Sequence, residues 1–274
     1  MSVKRGRSSP RRWGTVMLVL AGVATGLGGG ARGALAAVER VSPARPLVVS
    51  AEPKLGTSAL SHACPKNLAD DLKSTRPALQ LVTVNARSAH TSDALLTLWQ
   101  RRSSTGCWAR VAGPWPARLG VNGISGHKVE GDGTTPAGEF GIGPVMYGNG
   151  PNPGVHYTYH HLVCGDWWDE APSSRWYNEF KHIACGSYPA WTGGDSEALW
   201  TETTAYQSFA FIEYNTVPVV PGRGSAIFLH GGIADPTTGC VSLRPSQLDH
   251  VLDWLRSSDR PRIVIGSDAS IRDY

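Results

Sequence analysis

Short runs of β-forming residues, separated by glycine, serine and asparagine turns, constrain the fold of this chain more than any other feature. Residues 79–84, 94–101 and 107–111 are the first examples. The 274 residues include 32 glycines and 19 prolines, and turn residues at this density interrupt helices before they become long. The pattern therefore predicts a mainly β fold and argues against a helical bundle or a coiled coil.

One amphipathic helix is predicted near the C-terminus. Its apolar residues repeat at i, i+3, i+4 and i+7 from Leu248 to Leu255. Pro245 precedes the repeat as a start signal, and Pro261 follows it as a stop. Further strands are expected at residues 209–214, 226–230 and 263–266.

Residues 141–200 are expected to form a long irregular insertion rich in tryptophan. A connection of that length in a compact domain is usually functional or internally stapled. Its tryptophans either line a cleft for a peptide or glycan or form a small satellite core, and we favour the core because aromatic side chains usually pack together. These residues are Trp167, Trp168, Trp176, Trp191 and Trp200.

The first 36 residues have the order of a secretory signal: a charged start, an apolar run at 16–24 and an Ala-Leu-Ala site ending at Ala36. A membrane anchor would need about 20 apolar residues, and this run is shorter. We therefore expect cleavage near Ala36, an extracytoplasmic location, and no stable membrane span afterwards.

The net charge of +4 comes from this first segment, which holds six Lys and Arg and no acid. The rest of the chain has 20 Lys and Arg against 22 Asp and Glu. A chain with that charge balance lacks the excess of Lys and Arg that is typical of a nucleic-acid-binding protein. We expect no nucleic-acid partner.

His230 and Cys240 form the strongest candidate catalytic pair. The imidazole belongs to the last residue of the predicted strand at 226–230. A short turn of small residues then leads back to Gly239 and Cys240. A neighbouring histidine activates a thiol by holding it as a thiolate. The amides of Gly239 and Cys240 could then face a developing oxyanion.

Gly231 has no side chain that could orient the imidazole of His230, so a backbone carbonyl there would have to do so. The alternative interpretation is structural. In that interpretation Cys240 is a buried thiol or half of a disulfide. His230 is then a residue at the end of a strand whose hydrogen bonds are made within the fold.

These residues resemble the catalytic signature of the L,D-transpeptidase (YkuD) family, with His-Gly at 230–231 and Thr-Thr-Gly-Cys-Val at 237–241. Gly-Asp-Gly-Thr-Thr-Pro-Ala-Gly at 131–138 resembles the upstream G-D-x-x-T-P-x-G loop of that family, and we interpret it as mostly structural. The resemblance implies an L,D-transpeptidase-like β-sandwich over residues 78–266. Residues 37–77 would then be an N-terminal arm or linker, and 267–274 a C-terminal tail.

The sequence also departs from the family pattern. Thr238 stands where the family commonly has His, and Ser242 stands where it often has Arg or Asn, with Arg244 further on. We assign these three residues and Thr237 to substrate binding. The departures indicate a divergent branch of the actinobacterial type.

The resemblance implies an acyl transfer without a cofactor or metal. The Cys240 thiolate would attack the L,D bond of a peptidoglycan stem peptide, release D-Ala assisted by His230, and pass the acyl group to a stem amine as a 3→3 cross-link. Carbapenem β-lactams would be inhibitors. The alternatives are an L,D-carboxypeptidase that uses water as the acceptor, and a non-catalytic wall-binding protein on the same fold.

Two His-x-x-Cys pairs, at 161–164 and 182–185, allow two interpretations. With His156 and His160 nearby they could supply zinc ligands. In an oxidising compartment a disulfide between Cys164 and Cys185 is favoured. Closing this loop would stabilise the fold by about 3 kcal/mol in the chain-entropy model.

All five cysteines follow the signal segment, and an odd count in an exported protein indicates pairs plus one free thiol. If Cys164 pairs with Cys185, then Cys64 and Cys107 are the remaining pair. Cys240 is then the unpaired thiol, in agreement with its assignment as the nucleophile.

Overall fold

A computed structural model describes residues 64–73, 75, 77–191 and 196–274. The secretory segment and the first part of the expected arm lie outside the described residues. Within the described part the prediction of a mainly β fold is confirmed, since it contains fourteen strands and one α-helix. No helix in these ranges is both long enough and apolar enough to cross a membrane.

The elements follow one another in an order that matches most of the predicted strands. They are β1 (Gln80–Ala86), β2 (Asp93–Gln100), β3 (Ala109–Arg118), β4 (Ile124–Ser125), β5 (Thr135–Pro136), β6 (Gly138–Gly148), β7 (Thr158–His161), β8 (Asp166–Asp169), β9 (Glu179–His182), β10 (Ser196–Ala198), β11 (Phe209–Ile212), β12 (Phe228–Gly231), β13 (Val241–Leu243), α1 (Pro245–Trp254) and β14 (Arg262–Ser267).

Nine of the strands form one sheet in the order β11-β12-β13-β3-β2-β1-β14-β6-β7. An additional pairing of β11 with β6 closes eight of these strands into a ring, and β7 extends from β6. Closure satisfies strand edges that would otherwise be exposed. The sandwich-like core thus lies between the two halves of one curved sheet, where residues such as Val84, Leu96 and Leu229 are fully buried.

The helix α1 covers part of this core. Pro245 occupies its first turn, where a fixed φ and a missing N–H are tolerated. Leu248, Val251 and Leu252 are buried, as the apolar spacing predicts. The helix ends at Trp254, and Leu255 is already extended.

The outer face of β1 and β14 is covered by the segments that flank the expected domain. Ala69 and Leu72 from the arm and Ile271 from the C-terminal residues pack with Leu81 and Val264. The Cys64–Cys107 disulfide ties this part of the arm to the sheet. The packed unit therefore extends beyond 78–266 at both ends.

The insertion is more ordered than the sequence analysis expected. β6 continues to Gly148, and β10, β8 and β9 form a separate three-stranded antiparallel sheet. The Cys164–Cys185 disulfide closes the segment that contains β8 and β9. Trp168 is buried against Phe211 and Phe228 of the main sheet, so this tryptophan belongs to a core.

Replacing both Cys164 and Cys185 by Ala should lower the free energy of unfolding by about 3 kcal/mol, because the unfolded chain gains the freedom of a loop spanning 21 positions. Urea unfolding against the wild type measures this. Ser187→Ala, an exposed change beside the bridge, is the control and should stay within about 0.5 kcal/mol. A double variant as stable as the wild type would contradict the assignment of a stabilising role.

Candidate active site

Cys240 lies immediately before β13, and His230 lies near the end of β12. The two strands are parallel, with Leu229 aligned with Val241 and His230 aligned with Ser242. The connection between them therefore runs back to the end of the sheet at which β12 begins. The sequence had predicted a tight reversal instead. Because side chains alternate along a strand, His230 and Cys240 project from the same face.

The Cys240 thiol is buried and is bonded to backbone groups at the start of β12. Its Sγ donates to the carbonyl of Ala226 at 3.3 Å and accepts from the N–H of Phe228 at 3.3 Å. The hydrogen bonds of the described residues include none between Sγ and the imidazole of His230. The sulfur is the chain's free cysteine, because the other four form the two expected disulfides.

The imidazole of His230 is oriented by its own strand. Its Nδ1 lies 2.8 Å from the carbonyl oxygen of Gly231, the contact expected from the sequence. A carbonyl only accepts, so Nδ1 carries the proton and Nε2 is left as a proton acceptor. The ring of Tyr206 meets the imidazole edge to face, with 5.6 Å between the ring centroids.

The thiol and the imidazole are both neutral in this structure. Burial raises the pKa of Cys240 to about 12, and the N–H of Phe228 opposes this increase only in part. Burial also lowers the pKa of His230. The expected thiolate–imidazolium pair is therefore not the favoured state of this site.

The backbone around Cys240 is held by two threonine hydroxyls. Thr237 Oγ1 donates to the Cys240 carbonyl at 2.8 Å, and Thr135 Oγ1 donates to the same oxygen at 3.2 Å. Thr135 belongs to the loop at 131–138, so the structural interpretation of that loop agrees with its contacts. Thr237 thus makes a structural contact, and its expected role in substrate binding stays a prediction.

The amide of Gly239 corrects a second expectation. Its N–H donates to Thr237 Oγ1 at 3.1 Å and is therefore already occupied. Among the described residues nothing accepts a hydrogen bond from the N–H of Cys240 itself, so that amide is free. A side chain at position 239 would crowd the carbonyl of Thr134 at 3.1 Å, which explains why glycine is required there.

The other three residues that we expected to bind substrate lie in different environments. Thr238 is exposed and lines the cleft beside Cys240. Ser242 is only 1% exposed, so a substrate outside the sheet cannot reach it, and its hydroxyl has no hydrogen-bond partner among the described residues. Arg244 is exposed at the start of α1 and does not line the cleft.

The cleft has a volume of about 380 Å³ and includes a cation that the sequence analysis missed. Lys128 is 3% exposed and forms a 2.9 Å ion pair with Asp132. Its Nζ lies 3.3 Å from where a Cβ on Gly239 would be, and its charge lowers the pKa of Cys240. The signal that could have found it is its position four residues before the Asp of the Gly-Asp loop.

Asp132 keeps this cation in place. Burial favours its neutral form, but hydrogen bonds from the Val129 amide, Lys128 and Thr134 outweigh burial and lower the pKa of Asp132 to about 2. The carboxylate is thus charged at any physiological pH. Lys128 and Asp132 form a fixed ion pair beside the thiol.

The expected alternative of a zinc site does not fit the insertion. Cys164 and Cys185 are bonded to each other, so neither can supply a thiolate. His160 and His182 instead bind the buried carboxylate of Asp166, at 2.8 and 2.6 Å. This cluster is a hydrogen-bonded support for the start of β8.

A lone thiol and an oriented imidazole on one face of a β sheet define a candidate thiol-dependent acyl-transfer site. The model of the YkuD family, described as the L,D-transpeptidase catalytic domain, matches residues 86–265. The chain therefore belongs to the YkuD L,D-transpeptidase family. No curated protein and no solved structure matches it.

Alkylation of Cys240 by iodoacetamide should keep accelerating above pH 9, because burial raises the pKa of this thiol to about 12. Mass spectrometry of the protein without reductant measures the rate at each pH. A rate that reaches its plateau near pH 7 would show that the thiolate already exists at rest.

Replacing Lys128 by Gln should slow the same alkylation severalfold at a fixed alkaline pH, because the thiolate loses a nearby positive charge. Lys73→Gln removes an exposed charge outside the cleft and is the matched control. Equal rates for the two variants would contradict the electrostatic assignment of Lys128.

Proposed function

We propose that this protein is an exported peptidoglycan L,D-transpeptidase in which Cys240 is the nucleophile and His230 is the general base and acid. The single observation that carries the proposal is the placement of the free thiol on the same sheet face as an imidazole whose Nδ1 is already bonded. Membership of the YkuD family supplies the reaction class. Extracytoplasmic location is typical of the family, and the two disulfides fit an oxidising compartment.

The first half of the reaction forms a thioester. The sulfur of Cys240 attacks the carbonyl that links the third stem residue to D-Ala, while its proton passes to Nε2 of His230. The C–N bond then breaks, and His230 returns the proton to the departing amine of D-Ala. A neutral starting pair suits this sequence, since no separated charges have to be buried before substrate binds.

The tetrahedral intermediate carries a negative oxygen that needs a donor. The N–H of Cys240 is free to provide one, and Lys128 adds positive charge close to the same backbone. Donors aimed at the developing charge are worth about 10²–10³ in rate at related acyl-transfer sites. The threonine bonds at the Cys240 carbonyl hold this amide in place.

In the second half a stem amine attacks the thioester and forms a 3→3 cross-link. With water in place of the amine the product is a free tripeptide, and the protein is then an L,D-carboxypeptidase. Products from a tetrapeptide stem separate the two outcomes by mass: a dimer for transfer, a tripeptide alone for hydrolysis.

Exposure to a carbapenem should add the mass of one inhibitor molecule to the wild-type protein, because the strained lactam carbonyl acylates the nucleophile. Cys240→Ala should gain no mass and should lose turnover on stem peptides by orders of magnitude. Intact-mass measurement and peptide mapping check both statements.

Thr204→Ala is the control, since it changes an exposed side chain outside the cleft and leaves the thiol in place. A Cys240→Ala variant that still releases D-Ala would rule out the proposed mechanism. A wild-type protein that binds stem peptides but neither releases D-Ala nor takes up the carbapenem would favour the non-catalytic wall-binding alternative.

A further inference from the structure

Glu197 brings a carboxyl group from the insertion into the cleft that contains Cys240. It lies at the centre of β10, where it aligns with Trp168 of β8. The hydroxyl of Tyr206 lies 2.8 and 3.0 Å from its two carboxylate oxygens. The insertion therefore supplies one wall of the site, although no sequence motif marks it.

Tyr206 fixes the position of this carboxylate relative to the reacting groups. It is 5% exposed, and its ring packs against Phe209 with 4.7 Å between centroids and against the imidazole of His230 with 5.6 Å. One rigid aromatic side chain thus contacts both Glu197 and His230. A carboxylate held in this way keeps its place when a substrate enters.

The other charged groups of the cleft have partners that account for them. Glu130 is bonded to the hydroxyls of Tyr177 and Ser225. Lys128 is bonded to Asp132. The hydrogen bonds described for the carboxylate of Glu197 come from Tyr206, and a carboxylate has room to accept more.

The charge of Glu197 works against the first half of the reaction, because negative charge near Cys240 raises the pKa of that thiol. It favours the second half. A stem amine arrives as an ammonium ion, which a carboxylate attracts, and it has to lose a proton before it can attack a thioester.

We propose that Glu197, held by Tyr206, binds the ammonium group of the acceptor and takes its proton, so that the insertion selects an amine over water. This inference rests on the proposed transpeptidase function. The ligand class is a primary amine on a peptide side chain or terminus.

The step balances as follows. The ammonium gives one proton to the Glu197 carboxylate, and the free amine nitrogen forms a bond to the thioester carbonyl carbon. The C–S bond breaks and its electron pair returns to the sulfur. The second amine proton passes through Nε2 of His230 to Cys240, and Glu197 releases its proton to water.

The ionisation of Glu197 suits this step. Burial raises the pKa of Glu197 to about 7, while the bond from Tyr206 opposes the increase and the charge of Glu202 adds to it. The carboxylate form therefore grows as pH rises through 7, and transfer should grow with it. The titratable and charged groups that share the cleft with Glu197 or act on its ionisation are Tyr206, Glu202, Glu130, Glu170, Lys128 and Cys240.

The test compares Glu197→Gln with Glu179→Gln, an exposed change of the same type outside the cleft. Each protein receives a tetrapeptide stem as donor and acceptor, and D-Ala, dimer and tripeptide are quantified. For Glu197→Gln the dimer-to-tripeptide ratio should fall about tenfold or more, since positioned proton transfer contributes about 10²–10⁴-fold. For Glu179→Gln the ratio should match the wild type.

A second measurement needs no variant. In the wild type the same ratio should rise between pH 6 and 8 and then level off, with a midpoint near 7, whereas deprotonation of the acceptor amine alone would keep raising it well above pH 8. A ratio unchanged by Glu197→Gln, a flat pH series, or a wild type that forms tripeptide alone would each overturn the inference. Failure of the wild type to release D-Ala or to take up a carbapenem would instead overturn the proposed function on which it rests.

Discussion

The parallel pairing of β12 with β13 is the constraint on which the rest of the site depends. It aligns Leu229 with Val241 and so places His230 and Cys240 on one face of the sheet. The same register brings the sulfur of Cys240 beside Phe228, and the N–H of Phe228 donates a hydrogen bond to that sulfur. Each group is therefore fixed by sheet hydrogen bonds before any substrate is present, and the chemistry needs little rearrangement of the backbone.

Burial decides the charge state of these groups, and neighbours adjust it. Removing Cys240 from water disfavours its thiolate far more than Lys128 can compensate. The cleft contains both signs of charge: Lys128, which lowers the pKa of Cys240, and the carboxyl groups of Glu130, Glu170 and Glu197. The proposed two-stage transfer needs both signs, because an anion and then a cation have to be accommodated at one carbonyl carbon.

Local patterns predicted the helix, several strands of the main sheet and the pairing of the cysteines. The apolar repeat from Leu248 to Leu255 predicts α1, and alternation predicts β1 and β2, because both signals depend only on residues close in sequence. The sequence analysis did not predict the strands inside the insertion. Its strands β8, β9 and β10 are only three or four residues long and are stabilised by contacts with the main sheet, which local propensity does not report.

The sequence by itself predicted Cys240 and His230 as the candidate pair, the carbonyl of Gly231 that orients the imidazole, and which cysteines pair, because residue type and spacing carry that information. Only the tertiary structure decided that the amide of Gly239 is occupied and that Ser242 is inaccessible. It also decided that Lys128 and Glu197 share the cleft. The physical reason is that hydrogen-bond partners, burial and electric field at a site come from residues distant in sequence, which only the closed sheet brings together.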